Sequence, residues 1–281
     1  MWYNLKIPKF GILYSYLPQL KEEILMTKVI VSGCMGNMGE ILCKKLEETE
    51  DMWITAGVDI VSTPNIEHCY SVYTSFKKIN SYDLAHEVDV IIDFSSPAAT
   101  ESLLNCVEEF KIPLVLATTG ISDQNIERMK EISKSVPIFY SSNMSYDICI
   151  LQRILSYAAP MLSSTDIEIT EEHHNRKVDF PSGTAKMLAN TINNSLGGNL
   201  DIVYGRTEKR KANEIGIASI RGGNICGTHT VHFFSKDSTF EIKHISHSRD
   251  SFANGAILAT KFIREKKQNN MTGLYTMDDL L

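Results

Sequence analysis

The 281-residue sequence contains no uninterrupted apolar stretch approaching about 18 residues, so we expect no transmembrane helix. It also has no excess of positive charge, because 28 Lys and Arg stand against 34 Asp and Glu and give a net charge of −6. Such a charge disfavours extensive contact with a nucleic-acid backbone. Internal repeats and low-complexity linkers are absent as well. A composition of 43% hydrophobic and 22% charged residues is typical of a globular protein with one large or two modest domains.

The six cysteines include no C-x-x-C pair, and their spacing matches neither a zinc site nor a small disulfide framework. We interpret them as reduced and mostly buried apolar residues, with a reactive thiol or a metal ligand as the alternative. Reduced cysteines are typical of a reducing compartment, and we expect a cytoplasmic protein.

The first 25 residues precede the regular pattern and form an N-terminal extension of uncertain status. Pro18 and Gln19 interrupt its apolar run and no small-residue cleavage site follows, so a secretory signal matches it poorly. An upstream start-site choice, a cloning remnant and a genuine extension all remain open. The first domain is expected to begin at Met26.

From Lys28 onward, short β-branched runs alternate with helical stretches. Val88–Phe94 is continuous enough to be buried on both faces, as in a parallel sheet. This rhythm predicts a doubly wound, Rossmann-like α/β domain over residues 26–145. After residue 145, strands without intervening helices predict an α+β domain with an open, mixed sheet over residues 146–251. Residues 252–281, which begin with an amphipathic helix, are expected to complete the first domain.

A glycine turn, G-x-x-G-x-x-G, lies between the first predicted strand and the first predicted helix at residues 33–39. Glycines permit close approach of the backbone to a pyrophosphate, and the helix N-terminus favours its negative charge. Asp59 ends the second predicted strand, where a carboxylate can accept hydrogen bonds from a ribose. Because residues 60–64 supply no Lys or Arg for a 2′-phosphate, NADH is slightly favoured over NADPH. A distant cation such as Lys77 remains the alternative.

The most informative stretch is the His-rich loop at residues 171–185. His173, His174, Arg176 and Lys177 would repel one another unless an anion were bound, which predicts a small dianion with a proton donor beside it. Ser182 suits an N-cap and begins a predicted helix whose first amides would face a carboxylate. A solvated surface loop and a metal site are the alternatives. Adjacent histidines on a strand point in different directions and no further ligand spacing is evident, so no metal is expected.

The full pattern E-x-H-H-x-x-K-x-D-x-P-S-G-T-A resembles the signature of the dihydrodipicolinate reductase family. The resemblance runs from about Lys28 to the C-terminus and includes further motifs in the same order. These are the glycine turn, Ala117-Thr118-Thr119-Gly120, Ser142-Asn143-Met144-Ser145, Ser219-Ile220-Arg221-Gly222-Gly223, Gly227-Thr228-His229, and Ser248-Arg249 with Phe252-Ala253-Asn254-Gly255-Ala256.

The resemblance implies an oxidoreductase that transfers hydride from NADH or NADPH to a cyclic dicarboxylate, 4-hydroxy-tetrahydrodipicolinate, in lysine and diaminopimelate biosynthesis. It also implies a homotetramer formed through the second domain. The implied catalytic residues are His173, the proton donor, and Lys177, the assisting cation. The implied substrate contacts are His174, Ser182, Gly183 and Thr184. The implied cofactor contacts are Gly33, Cys34, Met35, Gly36, Asn37, Met38, Asp59, Ala117, Thr118, Thr119, Ser141, Ser142, Asn143 and Met144.

The sequence departs from the family pattern at three places. Phe180 replaces a usual alanine, Ala117 replaces a usual glycine, and residues 146–149 replace a stretch that usually carries glycine, valine and asparagine. None of these changes removes a residue implied to be catalytic. Two rival functions are another two-domain dehydrogenase, acting on aspartate or homoserine, and a non-catalytic NAD(H)-binding regulator. The former would not need the dianion loop, and the latter would require loss of His173 or Lys177.

Overall fold

The computed structural model describes residues 26–60 and 69–281. The N-terminal extension of residues 1–25 lies outside the described residues, as do residues 61–64 of the cofactor argument. No helix in the described ranges combines the length and the apolar character needed to cross a membrane.

A parallel sheet, sheet A, dominates the first half of the described chain. Its seven strands lie in the order β12-β6-β5-β4-β1-β2-β3, the doubly wound order extended by one strand at the edge. All its neighbouring strands are parallel. Its strands are β1 (Thr27–Ser32), β2 (Met52–Val58), β3 (Ser71–Tyr73), β4 (Val90–Asp93), β5 (Leu114–Leu116), β6 (Pro137–Tyr140) and β12 (Gly273–Tyr275).

Helices cover both faces of sheet A, and the strand sequences explain why. In β1, Val29 and Val31 face one hydrophobic core while Ile30 faces the other, and all three are fully buried. A strand buried on both faces needs apolar residues at every position, which is the pattern observed. The helices of this half are α1 (Asn37–Glu47), α2 (Ser81–His86), α3 (Thr100–Phe110), α4 (Asp123–Ser133) and, from the end of the chain, α7 (Asp250–Gln268).

A second, mixed sheet, sheet B, contains five strands of the described chain in the order β11-β10-β7-β9-β8. Strand β10 is antiparallel to β7 and β11, whereas β7 and β8 are parallel to β9. The strands are β7 (Asp166–His173), β8 (Asp201–Tyr204), β9 (Glu214–Arg221), β10 (Gly227–Phe234) and β11 (Thr239–Ser246). Helices α5 (Tyr146–Met161) and α6 (Gly183–Ser195) pack on one face through a shared hydrophobic core.

The period of two along β7 determines what the second sheet can do. Ile167 and Ile169 point toward α5 and α6 and are buried, and the same face continues into Glu171 and His173. The buried face of β7 therefore carries two apolar residues followed by two ionisable ones, Glu171 and His173. The opposite face carries Asp166, Glu168, Thr170 and Glu172, and no helix of the described chain covers it.

The predicted fold class, a parallel Rossmann-like sheet and an open mixed sheet, is confirmed. The predicted strand Val88–Phe94 is observed as β4, and the amphipathic helix predicted to begin at residue 252 is observed as α7, which begins at Asp250. Short elements at the edges, β3, β8, β12 and α2, were not predicted because three to six residues carry too little periodicity. The division at residue 145 stays a prediction. It is supported by the packing of α7 on α1 and on β4–β6, and by the place of β12 beside β6.

Candidate active site

The implied cofactor residues all lie at one edge of sheet A. They follow the carboxyl ends of β1, β2, β5 and β6, and parallel strands present these ends on the same side. In doubly wound folds the ligand binds at this edge. The glycine turn, Asp59, the residues after β5 and the residues after β6 therefore lie along the same edge of the sheet.

The glycine turn is shaped for a phosphate group. Gly33 has φ +77°, and a Cβ there would lie 2.6 Å from the Phe94 carbonyl oxygen, while a Cβ on Gly39 would collide with the Gly33 carbonyl. A Cβ on Gly36 would meet only one atom within 4 Å, at 3.4 Å, so the backbone there faces open space. No side chain caps the N-terminus of α1. Its first amides and its partial positive charge are thus available to a pyrophosphate, and the residues fit a dinucleotide.

Asp59 lies directly against this turn at the end of β2. Its Oδ2 accepts a hydrogen bond from the Met35 backbone N–H at 3.0 Å, and its own N–H donates to the Tyr73 carbonyl at 3.0 Å. The carboxylate is therefore held beside the phosphate-binding backbone, where the ribose of a dinucleotide would lie.

Asp93 supports the same edge from below, although the sequence analysis did not select it. Its fully buried carboxylate accepts hydrogen bonds from Ser95 Oγ at 2.6 Å and Thr118 Oγ1 at 2.5 Å. Burial raises the pKa of Asp93, and hydrogen bonds from Ser95, Thr118 and Ser32 partly offset that effect. The carboxylate ties the loop after β4 to the loop after β5, and it thus fixes Thr118 and its neighbours. Its position at the end of a buried strand was the available signal.

The loop after β6 joins the two halves of the site. Ser141 Oγ donates to the Asn143 carbonyl at 2.7 Å and accepts from the Asn143 N–H at 3.2 Å, which makes a tight turn. Asn143 Nδ2 then donates to Thr184 Oγ1, in the first turn of α6, at 3.2 Å. A residue implied to contact the cofactor thus bonds a residue implied to contact the substrate.

His173 ends β7 and is held by a buried carboxylate. Its Nδ1 lies 2.5 Å from Glu171 Oε2. Glu171 is fully buried and also accepts two hydrogen bonds from the Arg221 guanidinium, at 3.0 and 2.8 Å, and one from the Ser182 N–H at 3.2 Å. Such a bidentate ion pair with further hydrogen bonds is the arrangement in which a buried charge is tolerated.

In this cluster, burial and the neighbouring charges act in opposite directions on the pKa values of Glu171 and His173. Burial disfavours ionisation of Glu171, but hydrogen bonds from Arg221, Ser219, His173 and the Ser182 backbone outweigh it and hold the pKa of Glu171 at about 2. Burial lowers the pKa of His173, the Glu171 carboxylate raises it, and the cations Lys177 and Arg221 lower it further. The balance leaves the pKa of His173 below its ordinary value.

The N-terminus of α6 forms an anion site beside His173. Ser182 Oγ accepts a hydrogen bond from the Ala185 N–H at 3.2 Å, so Ser182 is the predicted N-cap. A Cβ on Gly183 would meet no atom within 4 Å, so the first amides of the helix face open space. These features suit a carboxylate.

His229, on β10, lies beneath both groups and was not selected from the sequence. Its Nε2 lies 3.1 Å from Ser182 Oγ, and its ring meets the His173 ring edge to face at 5.3 Å between centroids. Burial, then the proximity of His173, lowers the pKa of His229 to about 4, so the ring is neutral. Its Nδ1 is buried and has no hydrogen-bond partner among the described residues.

The remaining loop residues are anchored mainly through the backbone. Gly222 donates its N–H to the His173 carbonyl at 2.9 Å, and Asn175 donates its N–H to the Gly223 carbonyl at 3.2 Å. Lys177 Nζ pairs with Asp179 Oδ1 at 2.8 Å rather than with an imidazole. Desolvation and the surrounding cations lower the pKa of His174, whose Nδ1 has no partner in the described part of the chain.

Two functional candidates, Glu171 and Arg221, lay inside quoted motifs but had no assigned role. Glu171 stands two residues before His173, so a strand places both on one face, and that spacing was the available signal. The sequence did not reveal the partner of Glu171, because Arg221 is distant in sequence and reaches Glu171 through the pairing of β7 with β9.

Phe180, one of the departures from the family, is 72% exposed, so most of its side chain makes no packing contact with the described residues. In the same part of the chain, no group of three or more His, Cys, Asp or Glu side chains is placed to hold a metal ion.

Comparison with known proteins gives the same family over both halves. Models of the dihydrodipicolinate reductase N-terminus and C-terminus match residues 27–144 and 147–281. The 4-hydroxy-tetrahydrodipicolinate reductase of Caldanaerobacter subterraneus subsp. tengcongensis is 42% identical over 260 residues, which are 92% of this chain and 99% of that protein. Its counterpart in Clostridium novyi is 43% identical over 259 residues, which are 91% of this chain and 98% of that protein.

A solved structure shows the same fold. The dipicolinate-bound dihydrodipicolinate reductase from Paenisporosarcina sp. TG-14 superposes with a TM-score of 0.75. The match covers 91% of this chain and 100% of that chain at 21% identity. At this identity the likeness establishes the architecture of the two sheets.

The buried His229 predicts a pH dependence of stability. Its folded pKa of about 4 lies below the ordinary 6.5, so on acidification the unfolded chain takes up a proton that the folded chain refuses. Between pH 7 and pH 5 this difference in proton uptake should lower the free energy of unfolding by about 2 kcal/mol. Urea unfolding at the two pH values should show this loss in the wild type and a correspondingly smaller loss in His229→Gln. Substitution of the exposed His247 by Gln is the control, and equal losses in wild type and His229→Gln would contradict the assignment.

Proposed function

The chain belongs to the dihydrodipicolinate reductase family, and from its site we propose that it reduces 4-hydroxy-tetrahydrodipicolinate to tetrahydrodipicolinate with NADH or NADPH. This reaction is a step of lysine and diaminopimelate biosynthesis. The observation that carries the proposal is the Asn143–Thr184 hydrogen bond, which joins the dinucleotide-binding edge of sheet A to the anion site of α6 beside His173. A hydride donor and a small dicarboxylate bound at these two places would meet at the contact.

The cofactor contacts we propose are those implied by the sequence. The backbone from Gly33 to Met38 binds the pyrophosphate, Asp59 binds the adenosine ribose, and residues 117–119 and 141–144 bind the nicotinamide end. The reduced nicotinamide supplies a hydride to the substrate ring when it is bound. Asp93 and the Ser141–Asn143 turn orient this end of the site, because they fix the loops after β5 and β6.

The substrate contacts surround the N-terminus of α6. One carboxylate is bound by the amides of Gly183 and Thr184 and by Ser182, and His174 contributes a further polar contact. Lys177 stabilises the negative charge that develops on the ring, a role suited to a fixed cation in a desolvated site. To do so it exchanges its partner, Asp179, for the substrate.

His173 is the proton donor in this proposal. Glu171 holds its Nδ1, so the proton is delivered from Nε2. Burial, together with the cations Lys177 and Arg221, lowers the pKa of His173 in the free protein. A bound dicarboxylate brings negative charge to the same place, raises the pKa of His173 and loads the donor when substrate is present.

We expect His173→Gln to lower kcat by about 10²–10⁴-fold, because a positioned proton donor contributes about that factor. Affinity for the cofactor should change little, since His173 lies on the other half of the site. Turnover with freshly made substrate measures the first effect and cofactor titration by fluorescence measures the second, while binding of dipicolinate checks that the substrate site is intact. Near-normal turnover in a folded variant would exclude His173 as the donor.

We also propose that NADH is used at least as well as NADPH. Asp59 lies against the phosphate-binding turn, where its charge would oppose a 2′-phosphate and its oxygens would accept from both ribose hydroxyls. Loss of such hydrogen bonds costs about 1.5–3 kcal/mol, or roughly tenfold or more in affinity. The comparison of kcat/KM for the two cofactors in wild type and Asp59→Ser measures the effect. A wild-type preference for NADPH above about tenfold would refute the charge argument, and Asp59→Ser should shift the preference toward NADPH.

Finally, we propose a cytoplasmic homotetramer that assembles through the second sheet. The six free cysteines support a reducing compartment. The face of sheet B opposite α5 and α6 supports assembly, because it exposes Phe234 of β10 and Ile245 of β11 to solvent. Light scattering on the purified chain should give the mass of four copies, and a monomer mass would rule out this assembly.

A further inference from the structure

We propose that Glu171 and Arg221 act as a positioning pair for His173. Glu171 favours the protonated imidazole, and Arg221 opposes its protonation. The inference rests on the proposed role of His173 as the proton donor. It assigns the pair a function in turnover beyond holding the sheet together.

Both carboxylate oxygens of Glu171 are occupied by hydrogen-bond donors. Oε2 accepts from His173 Nδ1 and Arg221 Nη1, while Oε1 accepts from Arg221 Nη2 and the Ser182 N–H. Each oxygen thus has at least two donors, and the residue has no exposed surface. A carboxylate with this complement of donors is ionised and only accepts.

An accepting carboxylate fixes the tautomer of His173. Because Glu171 has no proton to give, the ring must carry its proton on Nδ1, and the other nitrogen is left for exchange with the substrate. That nitrogen lies beside Gly227, where a Cβ would come within 3.2 Å of it. A glycine at this position leaves room next to the reactive atom.

The ionisable groups around His173 come from four different elements. Glu171 lies on its own strand β7, Arg221 ends β9, His229 lies on β10, and Lys177 lies in the loop that follows β7. His229 is neutral, since its pKa is about 4. Glu171 favours the imidazolium, whereas Arg221 and Lys177 disfavour it. Arg221 therefore opposes protonation both directly and by pairing with the Glu171 charge.

Arg221 also reaches the loop that carries the second implied catalytic group. Its Nη2 donates to the Asp179 carbonyl at 2.8 Å, and the Asp179 carboxylate pairs with Lys177. One guanidinium is thus bonded to the anchor of His173 and to the segment that presents Lys177. This geometry places both groups on a common support.

The two charges predict opposite changes when each is removed in the full-length enzyme. Glu171→Gln keeps an oxygen that can accept from Nδ1 but removes the negative charge, so the pKa of His173 should fall. Arg221→Gln leaves Glu171 without its counter-ion, so the pKa of His173 should rise. A shift of about one unit is the size expected for a neighbouring charge. Because an acid donor is lost above its pKa, the alkaline limb of kcat should move to lower pH in Glu171→Gln and to higher pH in Arg221→Gln.

The matched control is Glu172→Gln, which removes the same charge from the next residue, on the opposite face of β7. It should leave the limb where it is in the wild type. Nitrogen-15 spectra of the histidine rings provide a second readout that does not depend on turnover. They should show His173 protonated at Nδ1 when neutral, and its titration should move in the same opposite directions.

Limbs that stay in place, or move in the same direction in both variants, would overturn the proposal and leave the pair a structural role. If Glu171→Gln does not fold, the Arg221→Gln limb decides alone, an upward shift supporting the proposal and any other result refuting it. The failure of the proposed function looks different, since His173→Gln would then retain turnover together with an unchanged alkaline limb.

Discussion

The carboxylate of Glu171 is the constraint on which the second half of the site depends. It bonds the end of β7 to the start of α6 and to the end of β9, where Arg221 lies 50 residues from Glu171 in the sequence. An ion inside a hydrophobic row is costly, and the fold tolerates it because every oxygen lone pair has a donor. The same bonds that offset this cost also orient His173 and set the beginning of α6. Stability of the sheet and geometry of the proposed catalytic group therefore have one physical origin.

The two anion sites use helix N-termini in contrasting ways. The N-terminus of α1 carries no side-chain cap, and glycines around it keep the backbone open to a large ligand such as a pyrophosphate. The N-terminus of α6 is capped by Ser182, which secures one amide and leaves the earlier ones for a small carboxylate. The ligand sizes proposed for the two sites follow from this difference in how much of the backbone each helix already satisfies.

Much of this arrangement was predictable from local sequence. The glycine turn, Asp59 and the His-rich loop are signals carried within short segments, and the fold class follows from strand and helix rhythm. The partners of these residues were less visible, because they depend on strand pairing. Arg221 contacts Glu171 because β9 lies beside β7 in the sheet. His229 lies under Ser182 because β10 lies on the other side of β7. Asn143 and Thr184 show the same limit, since both were selected but nothing in the sequence indicated that they bond each other.

The bond between Asn143 and Thr184 also has a thermodynamic consequence. Asn143 lies in the loop after β6 and Thr184 in the first turn of α6, and the two residues are proposed to contact different ligands. The arrangement in which the bond exists is therefore favoured by either ligand that requires it. By linkage, two ligands that both prefer this arrangement must raise each other's affinity by the same factor, whichever binds first. With the ligand contacts proposed above, a single amide–hydroxyl contact would thereby couple the binding of cofactor and substrate within one chain.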